Sequence, residues 1–347
     1  MVRPLDLANL QRMIDEKYIS VQQHPRLELY IYNYTQSAQY EAMWNNETLQ
    51  CRGLIMDSTY KIIARPFLKF FNLQEAIDKG EQLPAEDFVV TEKMDGSLGI
   101  LYWEGDKPAL ATRGSFISDQ AIKGTEILRQ KYGHLTFNPQ YTYLFEIIYP
   151  QNRIVVDYGD TEDIVLLAVI HTETGIELPY EELLEFRYTF PIVKKYDGVK
   201  DFSKIEARAN SEGYVIAFVS GQRYKIKFDE YVRLHRLITG VNARRIWDML
   251  RNNQPLDELL DRVPDEFFAW VRHTVDRLDH EYRVIERQAI DEYERVRSLP
   301  TRKEQALAIK DFPYRSIVFA MLDQKPFAQM IWKLLRPKHE TPFKIEI

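Results

Sequence analysis

The chain has 347 residues, which at roughly 150 residues per domain sets an expectation of about two domains. Hydrophobic residues make up 45% and charged residues 28%, an ordinary globular balance that excludes a disordered chain. The single cysteine, Cys51, excludes an intramolecular disulfide and a cysteine-based zinc site, and the formal charge of −6 weighs against a uniformly basic polyanion binder.

The N-terminal stretch lacks the apolar run of a signal peptide, and no stretch approaches roughly 18 uncharged apolar residues. The expectation is a cytoplasmic protein, in a host cytoplasm if viral, without membrane attachment. Up to about residue 230, short β-rich runs alternate with Gly, Asp, Asn and Pro turn signals. Leu27–Tyr34, Gly53–Met56, Lys61–Ala64, Phe88–Glu92, Leu98–Trp103, Tyr141–Tyr149, Ile164–His171, Gly213–Val219 and Arg223–Phe228 read as strands. Helices fit 117–132 and 180–186. The links are too short for repeated parallel crossovers, so the pattern predicts an α+β fold with mostly antiparallel pairing.

Past Tyr231 the apolar period turns helical. In 265–297, Phe268, Val271, Val275, Leu278, Tyr282, Ile285, Ala289 and Val296 recur by threes and fours, with one turn skipped near Tyr293, which predicts one long amphipathic helix. Asp265 after Pro264 starts it and Ser298-Leu299-Pro300 stops it. Further helices are expected over 229–239, 243–252, 302–310, 315–322 and 327–335. The expected domains are 1–234, α+β, and 235–347, all-helical.

The first part carries the chemistry. Glu92-Lys93-Met94-Asp95-Gly96-Ser97 puts an amine at a strand end beside a tight turn. Lysine becomes a nucleophile when neighbouring cations or desolvation lower its pKa. By itself the pattern is weak, because many solvated hairpin turns contain Asp-Gly. Its surroundings add weight. Arg52-Gly53 and the Arg65–Asn72 segment lie upstream; Arg113-Gly114-Ser115, Leu144-Phe145-Glu146, Glu212-Gly213-Tyr214-Val215 and Tyr224-Lys225-Ile226-Lys227 follow. A nucleoside triphosphate requires cationic donors, which Arg52, Lys69, Arg113, Lys225 and Lys227 supply. Its divalent metal requires carboxylates, for which Glu146 and Glu212 are the candidates. An adenine slot would pair Phe71 with a residue near Val215. Period-2 alternation sets Lys225 and Lys227 on one strand face.

In this order the motifs resemble the covalent nucleotidyltransferase superfamily of polynucleotide ligases and mRNA capping enzymes. Within it the chain is similar to the RNA ligase 1 family typified by the T-even bacteriophage enzyme. Cys51–Asp57, Arg65–Asn72 and Phe145–Tyr158 carry that narrower likeness, which spans about 25–235 at motif level. It implies a nucleotidyltransferase (adenylyltransferase) domain followed by an all-α domain that selects the RNA. It implies that Lys93 is adenylylated, with Lys225 and Lys227 contacting the α-phosphate. Arg52, Lys69, Phe71, Glu92, Arg113, Glu146, Glu212 and Tyr231 become ATP-binding candidates. Glu146 and Glu212 would hold Mg²⁺ through water, with Mn²⁺ as a substitute. Arg113 departs from the family's pattern, where lysine is expected.

The activity implied is ATP-dependent RNA ligation through lysyl-AMP, joining 5′-phosphate to 3′-hydroxyl ends in RNA or tRNA repair, by a monomer. A nicked tRNA anticodon loop is one candidate substrate. The alternatives are a DNA ligase, a capping-type enzyme, or a non-catalytic nucleotide or RNA-end binder on the same fold. A degenerate binder should have lost Lys93, a motif glutamate or the paired lysines, and all are present. A capping enzyme should carry a β-barrel after the last motif, where this chain has helices. His171, His235, His273 and His280 show no metal-ligand spacing, and Asp257-Glu258 reads as a solvated helix start. Asp157 and Asp160 follow the Glu146 motif without a firm assignment. Charge is unevenly divided. Residues 235–347 hold 20 Lys plus Arg against 18 Asp plus Glu, leaving 26 against 34 in the first part. The acidity therefore sits where carboxylates are expected to work, and a local basic groove for RNA stays compatible with it.

Overall fold

The structure, a computed structural model, describes residues 2–199, 207–229, 231–232, 242–256, 259 and 268–337. The chain divides into two compact units, Met1–His235 and Arg236–Ile347. His235, Asp257, Glu258, Asp265 and most of the expected 229–239 helix lie outside the described residues.

Among its described residues the first unit has three four-stranded sheets. One is ordered β1-β2-β3-β4, from β1 (Ile19–Gln23), β2 (Leu29–Tyr34), β3 (Arg52–Asp57) and β4 (Ile62–Ala64). A second has β5 (Phe71–Asn72) and β6 (Phe88–Lys93) at its edges, enclosing β11 (Gly213–Phe218) and β12 (Arg223–Lys227) in the order β5-β12-β11-β6. The third is ordered β10-β9-β7-β8, from β7 (Ser97–Glu104), β8 (Lys107–Ala111), β9 (Tyr141–Ile148) and β10 (Asp163–His171). Pairing is antiparallel apart from β5 beside β12. The α+β expectation is met.

The apolar pattern explains where the strands sit. β9 is buried at seven of its eight positions, as a central strand covered on both faces requires. Its Phe145 and Ile147 pack with Leu101, Leu110, Ile127 and Leu166. The Asp119–Tyr132 helix supplies Ile127 and is capped by Ser118, whose hydroxyl accepts the Ala121 N–H. Ile31, Ile55, Ile100 and Leu144 form a second cluster that joins the first and third sheets.

A polar knot ties this core to the surface. Buried His24 contacts the Tyr102 hydroxyl at 3.2 Å and Glu104 at 3.1 Å, and Arg129 reaches the same carboxylate at 2.9 Å. Burial opposes ionisation of Glu104, but Arg129, His24 and Arg26 outweigh it and hold its pKa down to about 2. A depressed carboxylate stabilises the fold above its unfolded pKa and loses that contribution as pH falls toward its folded value. Glu104→Gln is therefore expected to cost about 2 kcal/mol near pH 7 and almost nothing near pH 2. Urea denaturation of both proteins across pH 2–7 checks this; a gap that does not shrink below pH 4.5 contradicts it.

The second unit is helical in its described residues: Ala243–Arg251, Phe268–Val296, Arg302–Ala308, Arg315–Leu322 and Ala328–Leu334. The long helix covers 29 residues and buries Val271, Leu278, Ile285, Ala289 and Val296, the stripe expected from spacing. Ile309, Ile317, Val318 and Ile331 complete that core. His273 and His280 are exposed on this helix.

Candidate active site

Three strand ends converge on one cluster. In the β6–β11–β12 register, Gly213 stands opposite Lys93 on one side and Lys227 on the other. Glu212, just before β11, is thereby set between the two lysines. Its carboxylate meets Lys93 Nζ at 2.7 Å and Lys227 Nζ at 3.1 Å, one oxygen to each. Glu212 is 3% exposed. Burial alone would raise its pKa, but the charges of Lys93 and Lys227 prevail and lower it.

Gly213 makes this approach possible. Its φ is +152°, and a Cβ there would lie 1.9 Å from the Ile226 carbonyl oxygen. Gly213→Ala must push β12 away from β11 and pull Lys227 off Glu212. The expected cost is more than about 3 kcal/mol, read as a fall in thermal midpoint. An alanine variant as stable as the parent contradicts this packing.

Asp95 anchors the turn after Lys93. It is 3% exposed; Oδ2 accepts the N–H groups of Val155 and Val156 at 2.9 and 2.8 Å, and Oδ1 accepts the Tyr231 hydroxyl at 2.8 Å. The Asp95 N–H donates to the Tyr158 oxygen at 2.8 Å. The 150–158 segment and Tyr231 are thus both clamped to the lysine's turn. The Tyr231 ring also lies 5.3 Å from Lys227 Nζ. The next residue, Gly96, donates its N–H to Glu146 Oε1 at 2.9 Å. Burial is the main reason the Glu146 pKa is raised to about 7; the nearby Lys93 charge opposes that shift, while Glu212 adds to it.

A second group gathers around Lys69. Its Nζ sits 5.3 Å from the Tyr34 ring, 5.4 Å from Trp44 and 5.3 Å from Phe71, within an aromatic box. Arg113 lies over Tyr34 at 5.2 Å and donates to its hydroxyl at 3.2 Å. Gly53, with φ +97°, packs against the Arg113 backbone, which brings the Arg52 strand end beside Arg113. Arg52 itself lies over Phe70 at 5.3 Å. Lys225 is buried and pairs in register with Asn72, the residue after Phe71.

The structure therefore joins Lys93, Lys227, Glu146, Glu212 and Tyr231 in one cluster, and Lys69, Phe71, Arg113 and Arg52 in another. Glu92 stands apart. It follows the strand alternation to the other face from Lys93, where Lys194 and Arg208 act on its half-buried carboxyl. Phe71 pairs with Tyr224 and Val215 with Lys225, so those two side chains leave opposite faces of the sheet, while Ile216, next to Val215, pairs with Tyr224 and shares the face of Phe71. Asp157 pairs with exposed Arg153. Tyr34, Trp44 and Tyr158 were missed from sequence. Tyr34 read only as the end of a strand, and Trp44 sits in a loop with no periodicity around it. Asp95 was visible in its motif, but its long-range partners were not.

The family model described as RNA ligase matches residues 50–232, more than half of the chain. The chain belongs to that RNA ligase family. A putative RNA ligase of Thermovibrio ammonificans is 29% identical over 227 residues, covering 60% of this chain and 59% of that protein. A putative bifunctional polynucleotide kinase/RNA ligase of Autographa californica nuclear polyhedrosis virus is 28% identical, covering 66% of this chain and 37% of that protein. The RNA ligase of Rhodothermus phage RM378 is 24% identical, with 86% of each covered. The chain thus spans about three fifths of the first of these relatives and little more than a third of the second. Among the described residues, no helix is long and apolar enough to cross a membrane.

Proposed function

We propose that the protein is an ATP-dependent RNA ligase working through a lysyl-AMP intermediate. The observation that carries this is the Lys93–Glu212–Lys227 cluster, with Glu146 hydrogen-bonded to the turn that follows the lysine. Lys93 Nζ, once deprotonated, attacks the α-phosphorus of ATP; the N–P bond forms as the bond to pyrophosphate breaks. AMP then passes to an RNA 5′-phosphate oxygen, giving a 5′–5′ anhydride and returning the amine. Attack by a 3′-hydroxyl forms the phosphodiester and expels AMP. Lys227 and Lys225 stabilise charge on the α-phosphate in the first two displacements. Lys69, Arg52 and Arg113 suit the rest of the triphosphate.

Glu146 fits a Mg²⁺ ion held through water. It is a buried carboxylate whose charge is disfavoured, and it lies close enough to feel Lys93. The ion would supply charge neutralisation at the phosphates. Glu212 is better assigned to the lysines, because each of its oxygens already meets one. Among the described residues no group of three or more His, Cys, Asp or Glu side chains is placed to hold a metal, and Mg²⁺ needs only one or two carboxylates besides water and phosphate. On this reading 1–234 is the adenylyltransferase domain and 235–347 selects the RNA, with tRNA or RNA repair as the setting.

The test offers the pure protein ATP, Mg²⁺ and a 5′-phosphorylated strand, as RNA or as DNA of the same sequence. The expected result is conversion of the RNA, through a 5′-adenylylated species, into phosphatase-resistant joined product. Joining of DNA alone, or of neither, overturns the reading.

A further inference from the structure

The second unit carries a basic surface that the adenylylation chemistry does not use. On the helices Ala243–Arg251 and Ala328–Leu334, and the two residues after the latter, the charged groups are Arg244, Arg245, Asp248, Arg251, Lys333 and Arg336. Five are basic and one is acidic, in a chain whose formal charge is −6. The acidity of the whole is therefore locally reversed.

Two of the arginines are fixed on one ring. Trp247 is 4% exposed, and its Nε1–H donates to the Trp332 carbonyl at 2.8 Å, which joins the two helices. Trp332 in turn packs on Tyr282 of the long helix, with ring centroids 4.9 Å apart. Arg251, one turn after Trp247, places its guanidinium 5.3 Å from the Trp247 ring centroid. Arg336 comes from the end of the other helix and lies 5.8 Å from the same centroid. Arg251 Nε also donates to Gln329 Oε1 at 2.7 Å, and the Gln329 amide returns a bond to the Arg251 carbonyl at 3.0 Å. Lys333 follows Gln329 by one turn and so shares its side of the helix.

What these cations lack is a carboxylate. Along the long helix and the one after it, Arg283 meets Asp279, Arg297 meets Glu294 and Arg302 meets Asp323. Arg251, Lys333 and Arg336 form no ion pair among the described residues, and the Nη groups of Arg251 and the whole Arg336 guanidinium have no hydrogen bond there. Two guanidinium groups on one ring lie within about a Debye length of each other and repel. An anion with several oxygens removes that repulsion and uses the free donors in charge-assisted, bidentate fashion. Because Trp247 and Gln329 already hold the side chains, little rotamer freedom is lost when it binds. Trp247 is too buried to stack a base, so the site reads charge and spacing, not sequence.

We propose that Arg251 and Arg336 grip the phosphodiester backbone of the RNA substrate, with Lys333 beside them. The proposal rests on the ligase reading for its polymer, and adds to it a sequence-independent contact made by the helical unit.

The experiment uses the full chain, Arg336→Gln, the double variant Arg251→Gln/Arg336→Gln and the charge-keeping double variant Arg251→Lys/Arg336→Lys. Binding of dye-labelled 5′-phosphorylated RNAs of two unrelated sequences is followed by anisotropy, without ATP, between about 50 and 200 mM salt. The double glutamine variant is expected to raise Kd at least about tenfold on both sequences, and to flatten the salt dependence by about 0.7–0.9 in log–log slope for each arginine. Arg336→Gln, at an exposed position outside the helix, should show about half of that change in slope. The lysine pair should recover most of the slope. With ATP and Mg²⁺ alone, every variant is expected to form the AMP adduct within about twofold of the parent rate. An unchanged Kd and slope in the double glutamine variant overturns the proposal. So does a loss confined to one sequence, a lysine pair as weak as the glutamine pair, or a fall in adduct formation that matches the fall in RNA binding. A parent that binds RNA but forms no AMP adduct overturns the lysyl-AMP reading and leaves this site standing.

Discussion

Lys93→Ala is expected to reduce covalent AMP capture to background and, with it, the joining of ordinary 5′-phosphorylated RNA. On the proposed reading the Lys93 amine forms the N–P bond; Lys93 lies at the end of β6, two residues before the Asp95 clamp, whereas Lys225 and Lys227 lie on β12. The loss should be confined to the steps that use the amine. An RNA supplied with its 5′–5′ AMP anhydride already made bypasses Lys93, so the variant should still seal it at a measurable rate. Stability should fall modestly, because Glu212 keeps Lys227 as a counter-ion. Gel-based sealing assays with the two RNA substrates check the split. Equal loss on both would mean that Lys93 organises the site without serving as the nucleophile.

Glu212→Gln should be nearly as damaging, for a different reason. In the native cluster one buried negative charge serves two ammonium groups. Glutamine keeps the shape and removes that charge, leaving two like charges facing each other in a desolvated pocket. The fold is expected to lose about 3–5 kcal/mol, the usual cost of breaking a buried pair. Adduct formation is expected to slow on the order of 10²–10³-fold, as when one preorganised electrostatic group is removed from a site. Single-turnover adenylylation and urea denaturation measure the two effects. Because the Glu212 pKa is lowered by Lys93 and Lys227, its contribution to stability should be present above the ordinary carboxylate range. It should fade as pH drops through the folded value. A Glu212→Gln protein with parental stability and rate would show that the lysines do not depend on this carboxylate.

Much of this arrangement could be read before any coordinates, and the reasons are specific. β9 and β10 declared themselves by long β-branched and aromatic runs, and the 268–296 helix by its apolar stripe. The alternation in Lys225-Ile226-Lys227 fixed both amines on one face. What escaped was either short or long-range. β5 is two residues long and forms through its neighbour, with no pattern of its own. β1 is an edge strand with a single buried residue, Ile19, so it shows no apolar alternation. The Asp95 contacts to Val155, Val156 and Tyr231 span 60 or more residues and leave no local signal. The aromatic box around Lys69 is likewise assembled from three separate segments. The sheet face that Phe71 shares was not legible in spacing, because the parallel β5–β12 register sets it.

The central claim is that Lys93 carries AMP. The direct measurement is intact mass of the full chain after incubation with ATP and Mg²⁺, followed by peptide mapping of any adduct. The account predicts a single added AMP on the peptide containing Lys93 and its discharge when 5′-phosphorylated RNA is supplied. No adduct, or an adduct on any other residue, would contradict it.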